Sequence, residues 1–358
     1  MKKILLYIDN LYLGGAQRVM SNLANYFAKE GYDVILVNEV KPNINKKAYM
    51  TNEKIKRVYL EENTVRNFFY RQLKRVYTLR SIIQAERPDV VLSFLGPTNV
   101  RMLVATIGLN VKKIVSVRND PYKEYGKGIK KLFARELFKL ADGYVFQTTE
   151  AASYFSNNVQ KSAKVIYNPV NEVFYKTQRI NIKKEIVSIG RLQNQKNPML
   201  LIEAFGIIAK KYRDWKLCFC GEGELQLLLE ERCKILGISN QVVFEGQISN
   251  VNEKLSSSAI YALSSDYEGM PNALMEAMAV GVPCISTDCP CGGPRELIKN
   301  GEDGILVPVG DVSKMSEALE ALIVKNDYRE SLGEAAKLRA LNFKFDKILK
   351  EWKEYLEK

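Results

Sequence analysis

The sequence alternates between short apolar segments and longer amphipathic ones, and this alternation occurs twice along the chain. Short apolar segments bounded by turns are typical of buried strands, and the longer segments have helical spacing. Strands that alternate with helices predict parallel sheets covered by helices on both faces. The predicted strands are residues 3–8, 33–37, 89–95, 113–117 and 143–146 in the first half, and residues 186–189, 217–220, 242–244, 260–263, 283–286 and 305–307 in the second.

The alternation breaks at Tyr167-Asn168-Pro169-Val170, and a polar stretch follows to Lys184. Proline fits neither a helix interior nor a central strand. We therefore place a boundary there, which gives a first domain of residues 1–170 and a second domain of residues 171–340, with residues 341–358 as a final helix. Ligands of doubly wound domains bind at the carboxyl ends of the strands, so the loops at those ends are the candidate sites.

Charge is distributed unevenly along the chain, whose net charge is +12. Residues 1–170 hold 28 Lys and Arg against 14 Asp and Glu, whereas residues 171–358 hold 25 against 27. The basic half indicates an anionic partner such as nucleic acid, anionic lipid or a phosphorylated substrate, and a merely soluble surface is the alternative. The chain has no histidine, which excludes an imidazole base. Its six cysteines lack the paired spacing of a zinc site, and no apolar stretch reaches the about 20 residues of a membrane span.

The strongest motif is the segment from Glu268 to Glu276, Glu-Gly-Met-Pro-Asn-Ala-Leu-Met-Glu. Glu268 follows a predicted strand, and Pro271 or Asn272 opens a helix, where proline is favoured. The amides and dipole of a helix N-terminus bind anions such as a diphosphate, and Gly269 permits a close backbone approach. Glu268 and Glu276 can each accept hydrogen bonds from sugar hydroxyls. The alternative is that both are solvated charges near a helix end.

Two cations lie in the loop after the predicted strand 186–189, namely Arg191 and, five residues later, Lys196. Such a pair can neutralise a departing diphosphate. A glycine-rich turn, Leu13-Gly14-Gly15-Ala16-Gln17, joins the first strand to the first helix, and Gly221-Glu222-Gly223 follows the strand 217–220. Neither turn is the G-x-G-x-x-G fingerprint of dinucleotide binding, so each is a weak signal alone.

In combination and in this order, these motifs resemble family 4 of the retaining glycosyltransferases over nearly the whole chain. The resemblance implies an α/β GT-B fold, in which two Rossmann-like doubly wound domains face each other across a cleft and the terminal helix crosses back to the first domain. It also implies sugar transfer from a nucleotide diphosphate sugar, usually a UDP-sugar, with retained anomeric configuration and neither a metal nor another cofactor. The absence of Asp-x-Asp from the sequence agrees with metal independence.

The resemblance also assigns roles to the motif residues. Arg191 and Lys196 would hold the diphosphate, and Glu276 would hold the ribose. Glu268 would bind the donor sugar. The remaining donor contacts would come from Gly14, Gly15, Gln247, Ile248, Gly269, Met270, Pro271, Asn272 and Leu274, with Gln247 and Ile248 beside the base and Leu274 against the nucleoside. Gln17 would serve the acceptor or its phosphate.

One position departs from the pattern of these glycosyltransferases. Relatives that build bacterial surface glycans often carry a histidine in the loop after the fifth strand, where this chain has Arg118. A permanently charged guanidinium can bind phosphate or a sugar hydroxyl. The alternative is a structural ion pair between Arg118 and Asp120 or another acid.

A basic amphipathic helix is predicted over residues 64–85. Its apolar residues recur at helical spacing, while Arg66, Arg71, Lys74 and Arg75 lie mostly off that stripe. A second basic run covers residues 123–139. Basic helices of this kind suit an anionic membrane surface or an acceptor carried on a lipid diphosphate. The alternative is that the apolar stripe packs into the core and the cations are simply solvated. Both interpretations can hold together, with the stripe facing inward and the cations facing an anionic partner.

The residues therefore favour an enzyme. We expect a retaining glycosyltransferase that moves a hexose or N-acetylhexosamine from a UDP-sugar to a membrane-associated, polyprenyl-diphosphate-linked glycan acceptor in surface polysaccharide biosynthesis. It would act as a peripheral protein on the cytoplasmic face of the plasma membrane, at an anionic lipid surface and without nucleic acid. The alternatives are a basic Rossmann-like module that binds nucleic acid or membrane without catalysis, and a nucleotide-sugar epimerase or phosphorylase of the same fold.

Overall fold

A computed structural model of the chain describes residues 2–12, 14–43, 47–61 and 67–358. The chain divides into two compact units, one formed by Met1–Asn168 with Ile348–Lys358 and the other by Pro169–Lys347. The division falls inside the segment where the sequence pattern breaks. We expected residues 341–358 to form a final helix that returns to the first domain. In the structure, residues 341–347 group with the second unit and only Ile348–Lys358 group with the first.

The first unit is a parallel sheet flanked by helices. In its described residues the sheet has seven strands in the order β3-β2-β1-β4-β5-β6-β7. The elements in chain order are β1 (Lys3–Ile8), α1 (Gly15–Lys29), β2 (Asp33–Val40), β3 (Lys56–Glu61), α2 (Phe68–Glu86), β4 (Val90–Phe94), α3 (Gly96–Ala105), β5 (Lys112–Ser116), α4 (Pro121–Glu124), α5 (Ile129–Phe138), β6 (Gly143–Phe146), α6 (Thr149–Ser153), α7 (Asn157–Ser162) and β7 (Ala163–Val165).

The second unit repeats this architecture with a parallel sheet of six strands in the order β10-β9-β8-β11-β12-β13. Its elements are α8 (Glu172–Lys176), β8 (Lys183–Ile189), α9 (Pro198–Ile208), β9 (Lys216–Cys220), α10 (Gln226–Leu236), β10 (Val242–Gly246), α11 (Val251–Ser257), β11 (Ser258–Leu263), α12 (Asn272–Val280), β12 (Cys284–Thr287), α13 (Gly293–Leu297), β13 (Ile305–Val307), α14 (Val312–Val324) and α15 (Asn326–Ala340). The chain ends with α16 (Phe345–Glu357), which runs from the second unit into the first.

Both sheets are buried at their centres. In the first unit β1 is fully buried from Ile4 to Ile8 and pairs in parallel with β2 and β4. In the second unit β8 pairs in parallel with β9 and β11, and the core collects apolar side chains of the strands together with those of α9 and α14. Continuous apolar strands of this kind are expected where helices cover both faces of a parallel sheet.

The two faces of the first sheet carry different helices. The β1-to-β2 connection, through α1, runs in one direction across the sheet, whereas α2, α3 and α5 lie in connections that run in the other. Right-handed crossovers therefore place α1 on one face and α2, α3 and α5 on the opposite face, where α3 packs against both α2 and α5. The end of α16 lies beside α1, since Lys353 Nζ is 2.7 Å from Glu30 Oε2. Trp352 of α16 packs on Phe94 of β4.

Two strands escape the sequence pattern. β3 begins with Lys56 and Arg57 and ends with Glu61, and β7 has only three residues, so neither shows the apolar run on which the prediction of strands rested. Both lie at edges of the sheet, where one side of the strand is unpaired and the demand for apolar side chains is lower. Among the residues that the structure describes, no helix has the length and apolarity needed to cross a membrane.

Candidate active site

The second sheet has a topological switch point between β8 and β11. The chain passes from β8 to β9 and β10 on one side, and then returns to β11 on the other side of β8. The loops that leave β8 and β11 diverge at their carboxyl ends, which is where doubly wound sheets bind ligands. Lys196 follows β8 and Glu268 follows β11, and their side chains form an ion pair across this point.

Hydrogen bonds tie these two loops together. Ser264 Oγ donates to the carbonyl of Lys196 at 2.8 Å, and Gln195 Nε2 donates to the carbonyl of Tyr267 at 3.1 Å. Asn197, the N-cap of α9, donates from Nδ2 to Asp266 Oδ1 at 2.8 Å. The ion pair is therefore held by a rigid frame rather than by two free side chains.

Glu268 is buried, with 6% of its surface exposed. Its Oε1 accepts hydrogen bonds from Lys196 Nζ and, at 2.7 Å, from Ser265 Oγ. The backbone after it is packed closely, because a Cβ at Gly293 of α13 would lie 1.8 Å from the carbonyl oxygen of Gly269. Any residue other than glycine at position 293 would therefore clash with the backbone of the loop that follows Glu268.

Helix α12 begins directly after this loop. Pro271 occupies its N-cap and has no side-chain acceptor, so it caps none of the amides of the first turn. Glu276 lies in the second turn and is buried. Burial is the main cause that raises the pKa of the Tyr261 hydroxyl on β11, and the carboxylates of Glu268 and Glu276 both raise it further. Both acids thus lie close to the same tyrosine, at the start of one helix.

The loops after β8, β9 and β10 meet beside the ion pair. The Gly190 amide donates to the carbonyl of Cys220 at 3.0 Å, and a Cβ at Gly221 would lie 2.0 Å from the carbonyl oxygen of Gly190. Gly221 in turn forms a bridge with Gly246, the last residue of β10. The Lys196 side chain passes over Gly190, because its Cε lies 3.5 Å from the position that a Cβ on residue 190 would occupy. The exposed Arg191, which pairs with no acid in the described part of the chain, follows directly.

Within the second unit, the predicted donor residues therefore share one edge of the sheet. Arg191, Lys196 and Glu268 lie in the loops after the neighbouring strands β8 and β11, and Glu276 lies in the second turn of α12, the helix that follows β11. Gln247 and Ile248 follow β10 and line a depression of about 400 Å³. Gly269, Met270, Pro271, Asn272 and Leu274 belong to the loop and start of α12.

In the first unit, Gly14 is the N-cap of α1 and Gly15 is its first residue. A Cβ at Gly14 would lie 2.3 Å from Gln17 Oε1, so the glycine gives room to this amide. Gln17 Nε2 donates to Asp9 Oδ1 at 3.2 Å, and burial raises the pKa of Asp9. Gln17 thus positions a carboxylate at the carboxyl end of β1.

Arg118 follows β5 and is buried rather than solvated. Its guanidinium donates to Asn168 Oδ1 and lies 4.7 Å from the centroid of the Phe94 ring. The alternative of an ion pair with Asp120 is wrong, because Asp120 caps α4 through the amide of Tyr122 at 2.9 Å, and Arg118 forms no ion pair within the described residues. Burial lowers the pKa of Arg118 to about 9, which leaves it charged at neutral pH.

The basic helix differs most from expectation. Arg66 lies outside the described residues. Arg75 is buried, and its Nη1 lies 2.7 Å from Glu39 Oε2, so it anchors α2 to β2 and is not available to an acceptor, contrary to prediction. Arg71 is half-buried and Lys74 is exposed. The apolar stripe is also divided, since Leu79 and Ile83 face the core whereas Phe68, Phe69 and Leu73 are exposed.

One cluster has the composition of a metal site. Cys218, Cys220 and Glu245 lie close enough to share an ion within the described residues. Lys254 Nζ, however, is 2.6 Å from Glu245 Oε1 and already neutralises it. The hydrogen bond between the two thiols, together with burial, raises the pKa of Cys220. We therefore assign no metal to this cluster.

Sequence reasoning missed Ser265 and Gly293, which hold Glu268 and its loop. Ser265 gave no signal because a serine after a strand is common in loops. Gly293 stands in Cys291-Gly292-Gly293-Pro294, and two glycines before a proline mark a close backbone approach at the start of a helix. That motif could have been recognised.

Comparison with known proteins identifies the family and the fold of the chain. Residues 171–339 match the family described as glycosyl transferases group 1, and residues 13–173 match Glycosyltransferase Family 4. An uncharacterized glycosyltransferase of Methanocaldococcus jannaschii is 30% identical over 80% of this chain and 84% of its own. The Campylobacter jejuni GalNAc-α-(1→4)-GalNAc-α-(1→3)-diNAcBac-PP-undecaprenol α-1,4-N-acetyl-D-galactosaminyltransferase is 29% identical over 98% of this chain and 97% of its own. The crystal structure of Anabaena HepE with UDP and glucose superposes with a TM-score of 0.82 over the full length of both chains, at 16% identity.

The chain therefore belongs to the family 4 glycosyltransferases and has their GT-B fold. The predicted fold class of two Rossmann-like doubly wound domains is confirmed. Membership of an enzyme family favours the enzyme over the non-catalytic module.

Proposed function

We propose that this glycosyltransferase transfers a hexose or N-acetylhexosamine from a UDP-sugar, with retention of anomeric configuration, to a polyprenyl-diphosphate-linked glycan in surface polysaccharide biosynthesis. The observation that carries the proposal is the Lys196–Glu268 ion pair at the switch point of the second sheet, beside the uncapped start of α12. It joins a cation for phosphate to a buried carboxylate for sugar hydroxyls in one rigid frame.

The donor is expected to lie along this edge of the sheet. Arg191 and Lys196 bind the diphosphate, and the first turn of α12 adds its amides and dipole. Glu268 accepts hydrogen bonds from the sugar and Glu276 from the ribose. The base lies near Gln247 and Ile248, next to the depression that they line.

The reaction needs no protein base. The bond between the anomeric carbon and the β-phosphate oxygen breaks, and the two cations stabilise the charge that develops on the diphosphate. The acceptor oxygen bonds to the same face of the anomeric carbon, and its proton passes to the departing phosphate oxygen. The role assigned to the cations requires neither histidine nor a metal, and we propose that the enzyme uses neither.

The acceptor is inferred from the relatives. The Campylobacter relative acts on an undecaprenyl diphosphate-linked glycan by its name, and the basic first unit suits a substrate with a lipid diphosphate. HepE was solved with UDP and glucose, which supports a UDP-sugar donor. With such an acceptor, we propose that the enzyme acts as a peripheral protein on the cytoplasmic face of the plasma membrane.

The test is a transfer assay with a panel of radiolabelled UDP- and GDP-sugars and a polyprenyl diphosphate-linked glycan, with and without EDTA. We expect a UDP-sugar to label the lipid fraction equally well under both conditions, and NMR of the product to show the donor's anomeric configuration. A strict GDP-sugar preference, an inverted product or loss of activity in EDTA would overturn the corresponding part of the proposal. The release of an epimer or of a sugar phosphate without acceptor would indicate the epimerase or phosphorylase instead.

A further inference from the structure

The first halves of α2 and α5 expose an unusual amount of apolar surface. Phe69 and Leu73 on α2 are 79% and 71% exposed, and Ile129 on α5 is 85% exposed. The other exposed apolar residues of these segments are Phe68, Tyr70, Tyr77, Leu132 and Phe133. We call residues 68–77 and 129–133 together the α2–α5 surface. Contiguous apolar patches of this kind mark interaction sites on proteins.

Both segments lie on the same side and at the same end of the first unit. α2 and α5 pack on opposite sides of α3, on one face of the sheet. Helices that follow parallel strands run back along the sheet, so their first turns lie at the carboxyl edge of the strands. The α2–α5 surface is therefore one continuous region, two helix spacings wide, at the edge that also carries Gln17 and Arg118.

The surface is framed by positive charge. Lys74 is exposed on α2, and the described residues 67–85 include no acid. Three more lysines are exposed nearby: Lys123 on α4, Lys127 between α4 and α5, and Lys130 on α5. Helix α10 of the second unit offers a contrast, since Leu227 and Leu228 are also exposed but its charges include two glutamates, Glu230 and Glu231.

We propose that the α2–α5 surface inserts into the headgroup region of an anionic lipid bilayer, with the aromatic and aliphatic side chains at the acyl boundary and the lysines at the lipid phosphates. Charge complementarity favours this occupant, because lysines around exposed aromatics match an interface of anionic headgroups above hydrocarbon. The inference deepens the proposed function by naming the surface through which the enzyme reaches its lipid-linked acceptor.

The test is sedimentation of the full chain with two kinds of vesicle, one of phosphatidylcholine alone and one of phosphatidylcholine mixed with anionic phosphatidylglycerol. Three double variants are compared: Phe69→Ser with Leu73→Ser, Lys127→Gln with Lys130→Gln, and the matched control Leu227→Ser with Leu228→Ser on α10. We expect binding to the anionic vesicles, weakened about tenfold or more by the first variant. The lysine variant should weaken it about 25-fold, at about fivefold for each charge, and the control should bind like wild type.

Transfer to a water-soluble acceptor analogue separates this inference from the proposed function. All three variants should retain wild-type transfer to that analogue, which also shows that they fold. Equal vesicle binding by all variants, or no binding by a wild type that transfers sugar, would overturn the inference and leave the proposed function standing. A concentration-dependent dimer that Phe69→Ser with Leu73→Ser dissociates would assign the surface to a second copy of the chain and also overturn it.

Discussion

Replacing Lys196 by methionine tests whether its ion pair with Glu268 is built for the reaction or only for the fold. The change keeps an unbranched side chain that is one atom shorter and removes its charge. Glu268 then keeps the hydrogen bond from Ser265 at 2.7 Å but loses its cation. Breaking a buried pair in this way costs about 3–5 kcal/mol.

The Lys196 side chain retains 23% exposure, so water screens part of this loss. We expect the second unit to lose about 2–3 kcal/mol of unfolding free energy, which is about 5–10 °C in Tm. The rate of transfer should fall at least about 100-fold, because a cation that stabilises the leaving diphosphate is gone.

A second substitution separates the two effects. Adding Glu268→Gln to Lys196→Met removes the unpaired buried charge and should recover most of the lost stability, measured by urea denaturation, while transfer stays lost. Arg179→Met is the matched control. Arg179 holds the carbonyls of Ser258 and Gly281 at 3.0 and 3.2 Å, away from the carboxyl edge of the sheet, so its loss should lower stability and spare transfer by the folded fraction. Near-normal transfer by Lys196→Met, or a double variant as unstable as the single one, would refute the reasoning.

Three further predictions follow from the described contacts. Glu276→Ala should reduce transfer at least about 100-fold, and the isosteric Glu276→Gln should reduce it too while the thermal unfolding of the second unit changes little; unchanged transfer would refute the assigned ribose contact. Gly293→Ala should lower stability by about 1–3 kcal/mol and weaken UDP binding in calorimetry, because its Cβ would meet the Gly269 carbonyl oxygen at 1.8 Å. Burial raises the pKa of Glu124 from 4.5 to about 8. Between these two pH values the folded state keeps a proton that the unfolded chain has released. The unfolding free energy should therefore fall as the pH rises from 4.5 to about 8. Glu124→Gln should remove this pH dependence in urea titrations, and parallel curves for the two proteins would contradict it.

The sequence was sufficient to predict the edge of the sheet at which the site lies. Residues after successive parallel strands must gather at one end, so Arg191, Lys196 and Glu268 were expected together without knowledge of any contact. Their pairing could not be predicted, because Lys196 and Glu268 are 72 positions apart and many acids could have served. The same limit applies to Arg118, whose partner Asn168 is 50 positions away.

Helix α2 shows a different limit. Helical spacing shows which residues share a face, but it does not show which face packs on the sheet or how far along the helix the packing extends. The pairing of Arg75 with Glu39 requires the helix to turn this cation inward, and at 3.6 residues per turn this points positions 69 and 73 away from the sheet. Phe69 and Leu73 are exposed for this reason, although their spacing alone suggested core.

The return of α16 to the first unit has a consequence for synthesis of the chain. Ile348–Lys358 is synthesised after the whole of Pro169–Lys347, yet its Trp352 is buried against Phe94 in the unit whose other residues precede that span. Domains usually fold in the order in which they emerge. Here the first unit must wait, with one patch of its sheet uncovered, until all of the second unit has been synthesised.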